Sequence, residues 1–441
     1  MSGKGKGLSR REFLKTAGAG AVLGPAVMSA ASWARVIGAN DRIRIGIIGT
    51  GGMAGHHLKQ LSTFHDEDNF DVVAVCDVFE SRMKEYAERA KKLYGIRPAM
   101  FDDYHELLGL GDIDKVLITT PEHWHQRITL DALAEGKHVY VEKPMTHTIG
   151  ESLHVLEAAE KSGLCVQVGS QITSDDKYEV AHEYIASGKL GQLIQIQSSY
   201  VRRYPPNKGP WRTGHTSDEP KPPDLDWGFW LGPARKRPWD ARRFWDWRNY
   251  WDYSGGIGTD LFVHRATELI KACSLEEPVR AVGMGGIFMW DDGRELPDNF
   301  EMIAEYPGGP TFYILGTMAN DHGIDTVIRG YEGTMVFEGN GFNVYPIRKP
   351  KQEYKPIFSH QSTRPGNVIE HHKNHHAAMR AGKPDLCICP AILGHYGVMA
   401  VNMANESYRR RAMIAWDPKR RRMVRASGGH ILQRPDGGRR G

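Results

Sequence analysis

Apolar runs separated by helix-like stretches set a regular rhythm from residue 43 onward. Ile43, Ile45, Ile47 and Ile48 form a short β-branched run, and "DVVAVCD" forms a second one ending at Asp77. Such runs, bounded by turn residues, predict strands. Helix-compatible sequence lies between them and again over Ser81 to Tyr94. "KVLITTP" (Lys115 to Pro121) predicts the next strand, and "HQRITLDALAEG" a helix stopped by Gly136. "HVYVEKP", "IGESLHVLEAAEKSG" and "LCVQVGSQ" continue as strand, helix and strand. This alternation predicts an α/β protein with a doubly wound parallel sheet and right-handed crossovers. Further on, "TDLFVHRATELI" predicts a helix with Thr259 as its cap.

Composition adds limits. The 441 residues are 40% hydrophobic and 25% charged, as in a soluble globular protein of about two to three domains. The net charge of +4 comes largely from the two ends, including a basic polar tail over 426–441. No interleaved basic and aromatic surface is evident, so a nucleic-acid partner is not expected. Five scattered cysteines suit buried thiols better than a disulfide framework or a metal site. "SRREFLK" (Ser9 to Lys15), a weak apolar run and Ser32-Trp33-Ala34 together read as a twin-arginine signal over residues 1–34. The expected location is the periplasm or another exported compartment, with the protein folded around its cofactor before export. No later run reaches the ~18 apolar residues that a membrane span needs.

The chemistry concentrates at three places. Gly49, Gly51 and Ala54 make G-x-G-x-x-A straight after the first strand, with Thr50, Gly52 and Met53 inside the same turn. The first glycine permits a tight turn, the second admits a pyrophosphate, and the small third residue lets helix pack on strand. Asp77, at the end of the second strand, is placed to bind the ribose hydroxyls, which favours NAD and leaves NADP open. Lys143 precedes Pro144, which ends its strand and leaves the lysine at the carboxyl edge, where open α/β sheets bind ligands. Glu142 stands beside it. Asp260 and His264 are four apart, hence on one helical face, after the glycines at 255 and 256. They read equally as a substrate pair or as a capping aspartate and an unrelated histidine.

Two stretches stay open. Pro205 to Tyr253 is dense in Trp, Arg, Pro and Asp and suits a lid or sugar platform, or a loop packing its own aromatics. Its Arg242, Arg243 and Arg248 suit an acidic substrate group, or pairing with Asp240, Asp246 and Asp252. His371 and His375 are spaced i,i+4 and raise zinc, but the glutamate of H-E-x-x-H is missing. A polar helix with satisfied histidines is the better expectation, and no metal is expected.

"GTGGMAGHH", "TTPEHWHQRITLDALAEGKHVYVEKPMT" and "YSGGIGTDLFVH" together resemble the glucose–fructose oxidoreductase / inositol dehydrogenase family, Gfo/Idh/MocA. The likeness runs from about Arg42 to "SYRRRAMIAWDPKRRRM" and is nearest to the exported twin-arginine branch. It implies a Rossmann domain over 40–171 and a carboxyl-terminal α/β domain over 172–425, with a large, open, mostly antiparallel sheet for substrate and oligomerisation. It implies Lys143 as the catalytic-site lysine, His264 as general base and Asp260 in substrate binding. It places Thr120, Pro121, His123, His125, Glu142 and Lys143 against the cofactor. "LFVHRATE" lacks the glycine common between that aspartate and histidine, and Arg265 follows the histidine. The expected activity is an exported NAD(P)-dependent oxidoreductase acting on a carbinol of a sugar or polyol, as a homo-oligomer. The second reading is an α-N-acetylgalactosaminidase-like enzyme that oxidises its sugar transiently, eliminates, and recycles a tightly bound NAD.

Overall fold

The computed structural model describes residues 42–351 and 353–426. The proposed signal and nearly all of the basic tail lie outside the described residues. The first half runs β1 (Ile43–Ile48), α1 (Gly52–Leu61), β2 (Phe70–Cys76), α2 (Glu80–Tyr94), β3 (Ala99–Phe101), α3 (Tyr104–Leu108), β4 (Lys115–Ile118), α4 (His125–Ala134), β5 (His138–Glu142), α5 (Ile149–Ser162) and β6 (Val166–Gly169). All six strands are parallel, in the order β3-β2-β1-β4-β5-β6. Chain direction across the sheet reverses between β1 and β4, which opens a crevice at their carboxyl ends. The predicted alternation is all present. The three-residue β3, too short to show a period, is an addition. α5 carries a capping box, Thr148 with Glu151, and stops at Gly163 in the left-handed region.

α6 (Asp176–Ala186) leads to the second sheet, whose first strand is β7 (Leu193–Arg203). Two short helices, α7 (Trp227–Leu231) and α8 (Ala241–Trp245), interrupt the long loop. Then come α9 (Val263–Cys273), β8 (Arg280–Gly286), β9 (Asn299–Glu305), β10 (Thr311–Thr317), β11 (Ala319–Asn320), β12 (Thr326–Gly330), β13 (Gly333–Glu338), β14 (Gly341–Pro346) and β15 (Phe358–Gln361). α10 (Val368–Ala381), α11 (Ala391–Arg410), β16 (Ile414–Asp417) and β17 (Arg422–Arg425) close the chain. The sheet has eleven strands, ordered β15-β14-β13-β12-β7-β10-β9-β8-β16-β17, with β11 on β7. Only β7 and β10 pair in parallel. The expected large and mostly antiparallel sheet is thus present.

The last two helices return to the Rossmann half. His372 of α10 stacks on Tyr140 of β5 with ring centroids 4.3 Å apart, and Val168 N–H donates to Cys389 O at 2.8 Å. The four histidines at 371, 372, 375 and 376 are all buried, which corrects the expected polar helix. All five cysteines are buried free thiols. Among the described residues no helix is long and apolar enough to cross a membrane, and no cluster of three or more His, Cys, Asp or Glu is arranged to hold a metal.

Candidate functional site

A cavity of about 650 Å³ opens at the carboxyl ends of β1, β4 and β5, and Asp260 and the 205–253 loop form its far wall. Gly49 starts the turn at φ +88°, and a Cβ there would come 2.8 Å from the Thr120 backbone nitrogen, so only glycine fits. At Gly51 a Cβ would meet only Arg82 Nη1 at 3.9 Å, and at Gly52 it would meet nothing. Those two positions face open space. No side chain caps α1, so its first N–H groups and dipole are left for an anion. Thr50 and Met53 line the same cradle. The residues therefore fit the pyrophosphate of a dinucleotide.

Asp77 lines the cavity, with its carboxylate already engaged. Oδ2 accepts from Thr50 N–H at 2.6 Å and Thr50 Oγ1 at 2.8 Å, and Oδ1 accepts from Phe79 N–H at 3.0 Å. It braces the glycine turn, so a ribose would share an acceptor that is already in use. Arg82 and Arg89 line the same end, two helical turns apart on α2. The sequence reading missed them, although their i,i+7 spacing was there to be seen.

Thr120, Pro121 and His125 line the cavity as expected. His125 clamps the turn, with Nδ1 2.7 Å from Pro144 O and Nε2 2.8 Å from Thr120 O. His123 is a correction. It turns away from the cavity, its Nε2 lies 3.0 Å from Trp230 O, and burial pushes it down to about 3. Trp124 takes the cavity face, and its indole donates to the same carbonyl at 2.8 Å. Glu122 was not anticipated, since an acid in a loop carries no pattern. Buried in the cavity wall, it accepts from Ser254 Oγ at 2.7 Å, Gly255 N–H at 3.2 Å and Thr259 Oγ1 at 2.8 Å. Burial pushes its carboxyl up to about 7. It ties the Rossmann turn to the glycine lead-in of the second domain.

Lys143 stands just past the end of β5. Its Nζ donates to Asp260 O at 2.7 Å and to Asp260 Oδ1 at 2.8 Å, and Arg248 Nε donates to the same Oδ1 at 3.1 Å. Burial alone would raise the Asp260 carboxyl; Lys143 and then Arg248 outweigh it and hold it well below the usual range. Glu142 points the other way along the wall, its Oε1 2.8 Å from His57 Nε2 and 2.6 Å from Gln171 Nε2.

The segment before α9 differs from expectation. Ile257–Phe262 forms a π-helical turn instead of the first turn of the helix, and of the Asp260–His264 pair only Asp260 lines the cavity. Thr259 is no cap; its hydroxyl accepts from Gly255 N–H at 2.9 Å while donating to Glu122. π-turns are frequent at functional sites because they re-aim one side chain. Here Asp260 is turned into the cavity toward Lys143. His264 lies near Lys143 without lining the cavity, and its Nδ1 is sealed without a partner. Burial and the Lys143 charge push its imidazole down to about 3, so it is neutral.

The long loop packs its own aromatics, one of the two arrangements expected of it. Trp227 stacks on Trp230 at 4.9 Å, and Trp230, Phe244 and Tyr253 pack together as a small core. Phe229, Trp245 and Trp247 also face the cavity. Of its arginines, Arg248 binds Asp260, while Arg243 pairs with Glu295 at 2.5 Å and Asp252 at 3.3 Å. Arg242 reaches the carbonyls of His215 and Asp292.

Comparison with known proteins agrees with this layout. Residues 43–170 match the family described as "Oxidoreductase family, NAD-binding Rossmann fold", and 178–269 match its "C-terminal alpha/beta domain". Inositol 2-dehydrogenase of Salmonella typhimurium is 31% identical over 159 residues, 36% of this chain and 46% of that protein. Alpha-N-acetylgalactosaminidase of Shewanella oneidensis is 27% identical over 233 residues, 47% of this chain and 50% of that one. The chain thus spans about half the length of the curated relatives it matches. A levoglucosan dehydrogenase solved with NADH and levoglucosan superposes with a TM-score of 0.63 at 17% identity, covering 85% of this chain and 99% of the other. With both domains of the family in their order, and the NAD-binding cradle built as its motif requires, the chain belongs to the Gfo/Idh/MocA oxidoreductases.

Proposed function

We propose that this protein is an NAD-dependent oxidoreductase acting on a CH–OH group of a sugar or polyol. The observation that carries the reading is the Lys143–Asp260 ion pair, which joins the two domains across the wall of a cavity whose other end is the dinucleotide cradle. The dinucleotide would supply a hydride acceptor or donor there. Lys143 Nζ, held by Asp260, would donate to the carbinol oxygen and stabilise negative charge developing on it. His264, neutral beside Lys143 and Asp260, is the base that the family resemblance implies and would take the hydroxyl proton through its other ring nitrogen. The aromatic wall of Phe229, Trp245 and Trp247 would exclude water and pack on the C–H face of a ring. Native mass spectrometry of the purified protein should find bound dinucleotide, and a sugar and polyol panel should change nicotinamide absorbance. A protein with neither response would not be this enzyme.

The second reading, glycoside cleavage with a recycled cofactor, is favoured by the α-N-acetylgalactosaminidase relative. Release of an aryl leaving group from a glycoside without net NADH would select it. Export through the twin-arginine route is proposed from the leader sequence. It favours a bound, recycled dinucleotide, because little free NAD exists outside the cytoplasm.

A further inference from the structure

One buried chain of titratable groups has no part in the chemistry above. Lys115, the first residue of β4, is fully buried under α10. Its Nζ lies 3.0 Å from His372 Nδ1 and 2.9 Å from His376 Nε2. Outward, His376 Nδ1 lies 2.5 Å from Asp68 Oδ2, and Asp68 reaches the surface beside Arg380. Inward, His372 Nε2 lies 2.9 Å from His57 Nδ1, and His57 Nε2 lies 2.8 Å from Glu142 Oε1. Glu142 belongs to the cavity wall beside Lys143.

The hydrogen bonds allow one consistent assignment. An ammonium has donors only, so a charged Lys115 makes His372 Nδ1 and His376 Nε2 acceptors. The neutral rings then carry their protons on His372 Nε2 and His376 Nδ1. His57 accepts at Nδ1 and donates from Nε2 to the Glu142 carboxylate. When the Lys115 proton passes inward to Glu142, the inner half reverses: Glu142 holds a proton, and His57 and His372 carry theirs on Nδ1. Every link works in both states, which a chance cluster of polar groups would not guarantee.

We propose that Asp68, His376, Lys115, His372, His57 and Glu142 form a proton relay between the cavity and the protein surface. The proposal rests on the oxidoreductase reading, in which carbinol oxidation frees a proton inside a cavity walled by aromatics. For outward passage Glu142 gives its proton to His57 Nε2, as His57 Nδ1–H passes to His372 Nε2 and His372 Nδ1–H passes to the Lys115 amine. The resulting ammonium gives a proton to His376 Nε2, as His376 Nδ1–H passes to Asp68 and on to water. One proton enters, one leaves, and only N–H and O–H bonds change. Rotation about the Lys115 Cε–Nζ bond re-aims the neutral amine between the two imidazoles.

The Glu142 carboxyl is raised by burial, but the His57 hydrogen bond and charge and then Lys143 outweigh it and hold Glu142 below its ordinary value. Glu142 therefore rests as a carboxylate, and Lys115 is the exchanging group. Burial draws Lys115 down to about 7 against the pull of Asp68. Burial and the lysine charge hold His372 well below its ordinary value, and His376 is pushed down to about 3. The rings therefore stay neutral while Lys115 exchanges a proton near neutral pH. Tyr140 also faces Lys115, at 5.4 Å from its ring centroid, and Cys387 adds a weak pull; Gln171 and Lys143 face Glu142.

Histidine ¹⁵N NMR on the full-length protein tests the chain directly. As a proton passes between Lys115 and Glu142, His57 and His372 should exchange together between Nε2–H and Nδ1–H. A single fixed tautomer of both rings at every pH would overturn the relay. His372→Gln keeps a donor and an acceptor but cannot pass a proton through itself. In that variant His57 should no longer sense Lys115, and proton release to an indicator dye should fall behind nicotinamide reduction until imidazole buffer is added. Synchronous signals in the variant would leave these residues as packing alone. An inactive wild type would count against the oxidoreductase reading, with the histidine spectra still deciding the relay. If His372→Gln does not fold, the wild-type spectra decide it.

Discussion

Lys143 shows how one side chain joins two domains. It follows a strand that ends at Glu142, so the ammonium projects from the sheet edge, and a π-turn in the other domain brings Asp260 to meet it. Lys143→Met keeps most of the stem and removes the charge, while His264→Ala removes the proposed base. Each should lower turnover by ~10²–10⁴ with cofactor still bound. Together they should cost far less than the product of the single losses, because both serve one proton transfer. Steady-state kinetics on a responsive substrate decide it, and full activity in Lys143→Met would end the assignment. Glu142 offers a second test. A Cβ on Gly169 would fall 2.6 Å from Glu142 Oε1, so Gly169→Ala should displace the carboxylate and lower activity without touching the dinucleotide cradle.

Among the elements, the Rossmann half was largely legible because alternating strands and helices announce themselves by pattern. The glycine turn was legible for the same reason: Gly49 needs a backbone conformation that other residues resist. The π-turn before α9 was not, since the contacts beside it, from Glu122 to Gly255 and Thr259, come from a distant part of the chain. Nor was the return of α10, whose histidines look polar in one dimension and are buried by tertiary contact. The cradle carries its own prediction. A side chain at Gly51 has room in the protein but fills the pyrophosphate space, so Gly51→Val should fold with an unchanged Tm and lose dinucleotide binding by calorimetry. Asp77→Ala should loosen the turn as well as the ribose site, because Thr50 loses its acceptor. α10 on β4 carries another. Lys115 falls from its ordinary 10.5 to about 7 on folding, so between those values the unfolded chain holds a proton that the folded chain lacks. Stability should therefore rise with pH across that window, by up to about 1.4 kcal/mol per pH unit, and be lost as pH falls through 7. Urea melts should show this slope, and Lys115→Met should flatten it. A flat wild-type profile would mean that Lys115 keeps its proton.

At the scale of the whole molecule, the second sheet has one face packed under helices and one face left open. Register places Val282 and Met284 of β8, Ile303 of β9, and Tyr313 and Leu315 of β10 on that open face, side by side. Met284 is 69% exposed and Ile303 42%, whereas Phe300, Met302, Phe312 and Ile314 on the opposite face are fully buried. Glu301 and the Arg280–Glu305 pair share this face, so it is an apolar stripe with a charged border, the make-up of a protein contact surface. A second copy of the chain could cover it by a two-fold axis, since a self-complementary patch closes on itself. Ile303→Arg places a charge at the centre of the patch and touches nothing in the core. Light scattering should find an oligomer in the wild type and a monomer in the variant, with dinucleotide binding and Tm of the isolated fold little changed. A wild type that is monomeric at micromolar concentration, or a variant that still assembles, would mean that the open face serves another partner or none.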